Sequence, residues 1–303
     1  MVNLNTDIAG LHFENPVIPA SGTFGFGEDF APLWDLNRVG GIAVKGTTLE
    51  PRYGNPLPRI AECEGGMLNC VGLQNPGIEK VLSEKLPALR SVYKGVILLN
   101  ISGFSEQEYL SCCEMASQSP DVDAIELNVS CPNVHGGGMA FGTDAKALGL
   151  LVAKLRPVCT KPLFVKLSPN VTDIVAVAKA AEEGGADGLV LINTLLGMRI
   201  NINTRKPILS NTTGGLSGDC IFPIALRMVY QVSNACSVPV IGCGGVSSGE
   251  QAVEMMMAGA RAVQVGSASL RDPWACPRIA QEIADVCIKL KINSISDIWQ
   301  KTL

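Results

Sequence analysis

The segment Ala124-Ile-Glu-Leu-Asn-Val-Ser-Cys-Pro-Asn133 joins an apolar, strand-like run to a polar cluster of Asn128, Ser130, Cys131 and Asn133. Amides and hydroxyls orient a ligand because they both donate and accept hydrogen bonds, and a thiol that loses its proton near neutrality is a base or a nucleophile. The residues that follow, His135-Gly-Gly-Gly-Met-Ala-Phe-Gly142, are rich in glycine. Consecutive glycines carry little steric restriction, so a lid that opens and closes is expected here, with Cys131 at its base. Most cysteines behave as small buried hydrophobes. Cys63, Cys159, Cys220, Cys236, Cys243, Cys276 and Cys287 have the apolar, helical or strand-like neighbours of that kind, and Cys112-Cys113 fall inside an expected helix. Cys131 stands apart by its setting.

Other strand-like runs also end in a polar or ionisable residue: Ser21, Lys45, Asn100, Lys166 and Asn193 join Asn128 in this pattern. Two lysines, several amides and one thiol suit an uncharged or anionic planar ligand with many hydrogen-bonding edges. Histidine is nearly absent, with only His12 and His135, so a metal site or a His-dependent triad has little support. A second signal lies further on, in Ile241-Gly-Cys-Gly-Gly245 with Val246-Ser-Ser-Gly-Glu250, in Val265-Gly-Ser-Ala268, and in Gly214-Gly-Leu-Ser-Gly218. Small residues where strands meet helices expose backbone N–H groups, which suit the phosphate of a phosphorylated cofactor.

The elements that must position these residues follow from short apolar runs separated by helix-length segments. Strands are expected at Val17 to Ser21, Gly41 to Lys45, Val96 to Ile101, Ala124 to Val129, Leu163 to Leu167, Gly188 to Asn193, Val238 to Gly242 and Ala262 to Gly266. Amphipathic helices are expected at Glu79 to Val92, Ala145 to Arg156, Asp173 to Glu183, Pro223 to Asn234 and Ser248 to Ala258. Alternation of this kind implies parallel pairing through right-handed crossovers, and eight repeats close into an α/β fold of the (β/α)8 TIM-barrel type. The rival open doubly wound sheet lacks its G-x-G-x-x-G fingerprint. A short hairpin within Asn3 to Phe13 is expected to close the barrel bottom. Insertions at Thr47 to Asn75 and Thr194 to Ser217 are expected to carry specificity, since sites in this fold lie on loops at the C-terminal ends of the strands.

The chain has 303 residues, 47% hydrophobic and 17% charged, with a net charge of -4. That composition supports a large core and one barrel domain over residues 1–303, and gives no electrostatic footprint for nucleic acid or an anionic membrane. Neither a signal peptide nor an apolar run of ~18 residues is evident, so a cytoplasmic protein is expected. Eleven cysteines without a C-x-x-C pair argue for reduced thiols and against a zinc or iron–sulfur site in this chain.

Together, Asn128-Val-Ser-Cys-Pro-Asn133, Gly138-Met-Ala-Phe-Gly142, Lys45-Gly-Thr-Thr48, Asn69-Cys-Val-Gly-Leu-Gln-Asn-Pro-Gly77 and Gly214-Gly-Leu-Ser-Gly218 resemble the class 1 dihydroorotate dehydrogenases over nearly the whole chain. Within them the likeness is greatest to subclass 1B, the NAD-linked catalytic subunit. The resemblance implies an FMN-bearing barrel that oxidises (S)-dihydroorotate to orotate in pyrimidine biosynthesis, with Cys131 as base. It implies FMN contacts from Ser21, Lys45, Gly46, Asn100, Asn128, Lys166, Ile192, Gly218, Gly244, Gly245, Gly266 and Ser267. Substrate contacts would come from Lys45, Asn69, Cys70, Val71, Gly72, Leu73, Asn128, Asn193 and Thr194. It further implies an iron–sulfur partner subunit carrying FAD and a [2Fe–2S] cluster, and a homodimer at the core of a heterotetramer. Rival readings are a dihydropyrimidine dehydrogenase-like barrel acting on uracil, a stand-alone fumarate-reducing enzyme, and an aldolase barrel in which Lys45 or Lys166 forms a Schiff base. Glu126 shares a strand face with Asn128 and reads as a buried, paired carboxylate.

Overall fold

The computed structural model describes residues 2–130 and 141–299; Cys131 and His135 lie outside the described residues. Eight parallel strands form one sheet: β1 (Val17–Pro19), β2 (Gly41–Ala43), β3 (Val96–Ile101), β4 (Ala124–Asn128), β5 (Leu163–Lys166), β6 (Gly188–Leu191), β7 (Val240–Cys243) and β8 (Ala260–Val265). Their order is β1-β8-β7-β6-β5-β4-β3-β2, so the two ends of the sheet are consecutive strands. The ends meet where Gly40 N–H donates to Val17 O at 3.0 Å, and Asn15 clasps the same seam by accepting from the Val17 and Gly40 N–H groups. Gly40 must be glycine, because a Cβ there would fall on the Asn15 carbonyl. The barrel fold expected from the sequence is borne out.

Because strand side chains alternate between faces, each strand divides its residues between two cores. Ile97, Leu99, Ile125, Leu127, Leu163 and Val165 point outward into the main core beneath the helices. Leu98, Ala124, Phe164, Val190, Ile241 and Ala262 point inward and fill the lower barrel, closed from below by Ile8 and Phe13. These last two come from the N-terminal hairpin Thr6–Ile8 and Leu11–Phe13, as expected.

The helices begin where side chains can take up their first free N–H groups. Ser105 caps Glu106–Gln118, Asp144 caps Ala145–Leu155, Asp173 caps Ile174–Glu183 and Ser248 caps Gly249–Met257. Strand ends differ slightly from expectation. Ser21, Lys45 and Asn193 lie just past the ladder, where Lys45 N–H bonds to Gly25 O and Asn193 N–H to Leu167 O, whereas Asn100 lies inside β3. The two insertions are not separate loops. They pair into one antiparallel sheet in the order Leu195–Met198, Thr213–Ser217, Gly66–Asn69, Ile60–Cys63. Among the described residues no helix is long and apolar enough to cross a membrane.

Candidate active site

One step above the apolar layer, the same alternation that points Leu98, Ala124, Phe164, Ile241 and Ala262 inward brings Asn100, Glu126, Lys166, Cys243 and Gln264 into the barrel. Strand register puts them side by side: Asn100 pairs with Glu126, Asn128 with Lys166 and Cys243 with Gln264. The interior thus changes from apolar to polar within one layer, at the C-terminal end where barrel sites sit.

These groups form a connected network. Asn100 Nδ2 donates to Glu126 Oε1 at 2.6 Å, and Gln264 Nε2 donates to Glu126 Oε2. Lys166 Nζ donates to Gln264 Oε1 at 2.7 Å and lies 3.8 Å from Glu126 Oε1. Asn100, Glu126 and Gln264 are fully buried, and Lys166 nearly so. Burial works against the Lys166 cation, but electrostatic attraction and hydrogen bonding from its neighbours Cys243 and Glu126 outweigh it and set its pKa above the ordinary lysine value. Burial also raises the Cys243 pKa, against the pull of Lys166, and Glu126 is the carboxylate that stands beside the ammonium.

Above the network, buried polar atoms lack partners among the described residues: Asn100 Oδ1, Ser102 Oγ and Ser130 Oγ. A Cβ on Gly46 would lie 2.9 Å from Asn100 Oδ1 and 3.5 Å from Ser102 Oγ, so two of these atoms flank one glycine. Native interiors rarely leave such atoms unpaired. Ser21 is buried just past β1, and a Cβ on Gly266 would meet nothing closer than Ala20 Cβ at 3.7 Å, which leaves room beside the strand ends.

The mouth is built from the inserted loops. Asn128 Oδ1 accepts from Asn193 Nδ2 at 3.2 Å, and Asn193 Oδ1 accepts from Thr194 N–H, so β4 and β6 hand over to the insertion through side-chain amides. Asn69 Nδ2 reaches Gly215 O. Gly72 and Leu73 both have positive φ, and the reversal carries Leu73 to within 3.4 Å of where a Cβ on Gly46 would lie. Asn75 fixes this turn: its Oδ1 accepts from the Thr48 and Gly77 N–H groups, and its Nδ2 donates to Thr48 Oγ1 and Leu73 O. Lys45 is half-buried, with no carboxylate partner among the described residues. Burial, and secondarily the charge of Arg59, lowers its pKa.

Not every expected residue comes to the mouth in the same way. The Cys70 thiol lies with Ala61, Leu68 and Leu209 under the inserted sheet, and its N–H and C=O are taken by Arg59 O and Asn55 Nδ2, so it serves the framework of the loop. Val71 O is likewise taken by Asn55 N–H. Ile192 is buried behind the strand ends, donating its N–H to Cys243 O. Gly218 turns at positive φ against Gly66, and Gly244 and Gly245 turn at positive φ against the start of helix Phe222–Ser233. The helix after β7 is not an open anion site: Gly249 N–H is bonded to Glu282 Oε2 and Gln251 N–H to Ser248 Oγ. Gly266 and Ser267 follow β8 directly, and Ser267 precedes the short helix Ala268–Arg271. Sequence reasoning passed over Gln264 and Ser102. Gln264 stands two residues before Gly266, and the period-2 rule that flagged Glu126 would have found it.

A closed α/β barrel whose inner layer turns from aliphatic to amide and charged side chains at its C-terminal rim has the architecture of an enzyme. The family model described as dihydroorotate dehydrogenase matches residues 3–287. A protein of Geobacillus sp. (strain WCH70) is 50% identical over 99% of this chain and 97% of its own length, and is named dihydroorotate dehydrogenase B (NAD(+)), catalytic subunit. Proteins of the same name from Enterococcus faecalis (strain ATCC 700802 / V583) and Geobacillus kaustophilus (strain HTA426) are 51% and 52% identical, over 97% and 98% of this chain and 95% of each relative. The chain belongs to the dihydroorotate dehydrogenase family.

Proposed function

We propose that the chain is a single FMN-binding barrel domain that oxidises (S)-dihydroorotate to orotate in the cytoplasm, as the catalytic subunit of an NAD-linked enzyme of pyrimidine biosynthesis. The observation that carries this is the arrangement around Gly46, where unpartnered Asn100 Oδ1 and Ser102 Oγ stand above the protonated Lys166. Such a set fits a flavin, which offers both hydrogen-bond donors and a ring that gains negative charge on reduction. When bound, FMN would supply the acceptor for the hydride that leaves C6 of dihydroorotate. Ser21, Lys45, Gly46, Asn100, Asn128, Lys166, Ile192 and Gly218 would hold its ring and side chain, and Gly244, Gly245, Gly266 and Ser267 its phosphate.

Cys131 is assigned as the base that takes the C5 proton, in balance with the C6 hydride. Lys45 opposes the substrate carboxylate, and Asn69, Gly72, Leu73, Asn128, Asn193 and Thr194 frame the pyrimidine ring. Lys166 is unsuited to a Schiff base, because a cation held by Gln264 and Glu126 is not a nucleophile. Electrons would reach NAD through a partner subunit carrying FAD and a [2Fe–2S] cluster, bound to a homodimer of this chain; the relatives' names, which call each a catalytic subunit, support a partner. The test is the visible spectrum of the purified protein before and after anaerobic addition of dihydroorotate. A yellow protein that bleaches is expected. A colourless protein, or one that bleaches with dihydrouracil but not dihydroorotate, would overturn the proposal.

A further inference from the structure

Glu126 is the most deeply buried charge in the barrel and belongs to none of the residues assigned to ligands. Its two oxygens are used differently from a simple ion pair. Oε1 accepts from Asn100 Nδ2 and Oε2 from Gln264 Nε2, while Lys166 stands at 3.8 Å and reaches Gln264 Oε1 instead. An ionised carboxylate only accepts. Each amide must therefore turn its nitrogen toward Glu126 and its oxygen away. For Asn100 the oxygen then faces Gly46 and the site; for Gln264 it faces Lys166.

We propose that Glu126 is a positioning residue that acts through two amides, fixing Asn100 to present a carbonyl acceptor to the flavin and holding Lys166 in its protonated form beside it. The inference rests on the FMN reading above. The groups that face Lys166 from other strands of the barrel are Glu126 on β4, Gln264 on β8 and Cys243 on β7; among the described residues Glu126 and Cys243 are the charged or titratable ones. Removing the Glu126 charge takes away the carboxylate that favours the Lys166 cation while burial, the largest influence on it, remains, which lowers the lysine's proton affinity relative to wild type. A neutral amide at position 126 also both donates and accepts, so Asn100 loses the reason for its orientation.

The experiment uses the FMN-loaded protein and its Glu126→Gln, Lys166→Met and doubly substituted forms. Two quantities are read: FMN dissociation by fluorescence, and the flavin's reduction potential against pH, by dye equilibration, from neutrality to the ordinary lysine range near ~10.4. Wild type should show no inflection in this window that Lys166→Met removes, since any contribution of Lys45, whose pKa is lowered, is common to all the forms. Glu126→Gln should show one, displaced to lower pH, with FMN bound at least about tenfold more weakly. The inflection should vanish when Lys166→Met is added, which a merely structural effect of Glu126 would not produce. If Glu126→Gln will not fold, Gln264→Leu, which cuts the same link to Lys166, should bring an inflection into the same window. Potential profiles of Glu126→Gln or Gln264→Leu that superimpose on wild type would overturn the proposal. Absence of flavin from the wild-type protein would instead overturn the functional reading on which it rests.

Discussion

Replacing Lys45 by Met keeps the aliphatic stem that packs at the end of β2 and removes only the charge. Lys45 has no carboxylate partner among the described residues, so its ammonium is available to a ligand's carboxylate. A hydrogen bond to a charged group contributes roughly 1.5–3 kcal/mol, and because the residue is half-buried the lower part of that range applies. A loss of about 1.5–2 kcal/mol corresponds to orotate binding some ~10- to 30-fold weaker. Titration of the flavin spectrum with orotate at fixed ionic strength measures it, with an exposed lysine such as Lys80→Met as control.

The same residue sets a pH dependence whose sign can be worked out. Burial and then Arg59 place the Lys45 pKa below that of a free lysine, and a bound carboxylate favours the cation and raises it again. Binding therefore takes up a proton at alkaline pH, and orotate affinity falls as pH rises through the lowered pKa of the free protein. Lys45→Met should be flat in this limb, and Lys45→Arg, which stays charged, should hold its affinity to higher pH. An orotate dissociation constant for Lys45→Met within twofold of wild type would remove Lys45 from the substrate site.

Three further outcomes are expected. Cys131→Ala should keep its flavin yet slow anaerobic reduction by dihydroorotate by about two orders of magnitude, with Cys131→Ser recovering only at high pH; stopped-flow reduction at the wild-type rate would assign the proton elsewhere. Asn75→Ala strips partners from the Thr48 and Gly77 N–H groups and should lower unfolding stability by roughly 2–4 kcal/mol while raising KM for dihydroorotate, and an unchanged urea midpoint would contradict this. In alkylation at mildly alkaline pH followed by peptide mass spectrometry, exposed Cys220 should react well before Cys112 and Cys276, whose thiols burial pushes up to about 12; early labelling of Cys276 would count against the packing described.

The barrel was legible because its strands are short apolar runs at regular spacing, and Val96–Ile101 appears with the bounds that its composition suggests. The antiparallel sheet joining the two insertions was not. Its strands are brief, glycine-rich in Thr213–Ser217, and pair residues as distant as Asn69 and Gly215, so no local pattern marks them. Much the same division holds at the site. Lys166, Asn100 and Asn128 were visible as polar endings of apolar runs, but the orientation of Asn100 depends on Glu126 and Gln264, which arrive from β4 and β8. Cys70 shows the converse: its place in a motif marked it, and only the fold reveals that its thiol packs under the inserted sheet.

The polar layer also explains how one barrel carries stability and chemistry without placing them on the same residues. A buried carboxylate and a buried ammonium are costly unless every lone pair and proton finds a partner. Each oxygen of Glu126 accepts from one amide and Lys166 donates to Gln264, which offsets part of that cost and leaves one amide oxygen, Asn100 Oδ1, unspent. The lower layer of Leu98, Phe164, Val190 and Ile241 needs no such accounting and can supply the hydrophobic stabilisation alone. Truncating that layer should therefore reduce stability first. Substitutions one step higher should instead alter flavin binding and its pH response, because their side chains hold the shape and charge of the site.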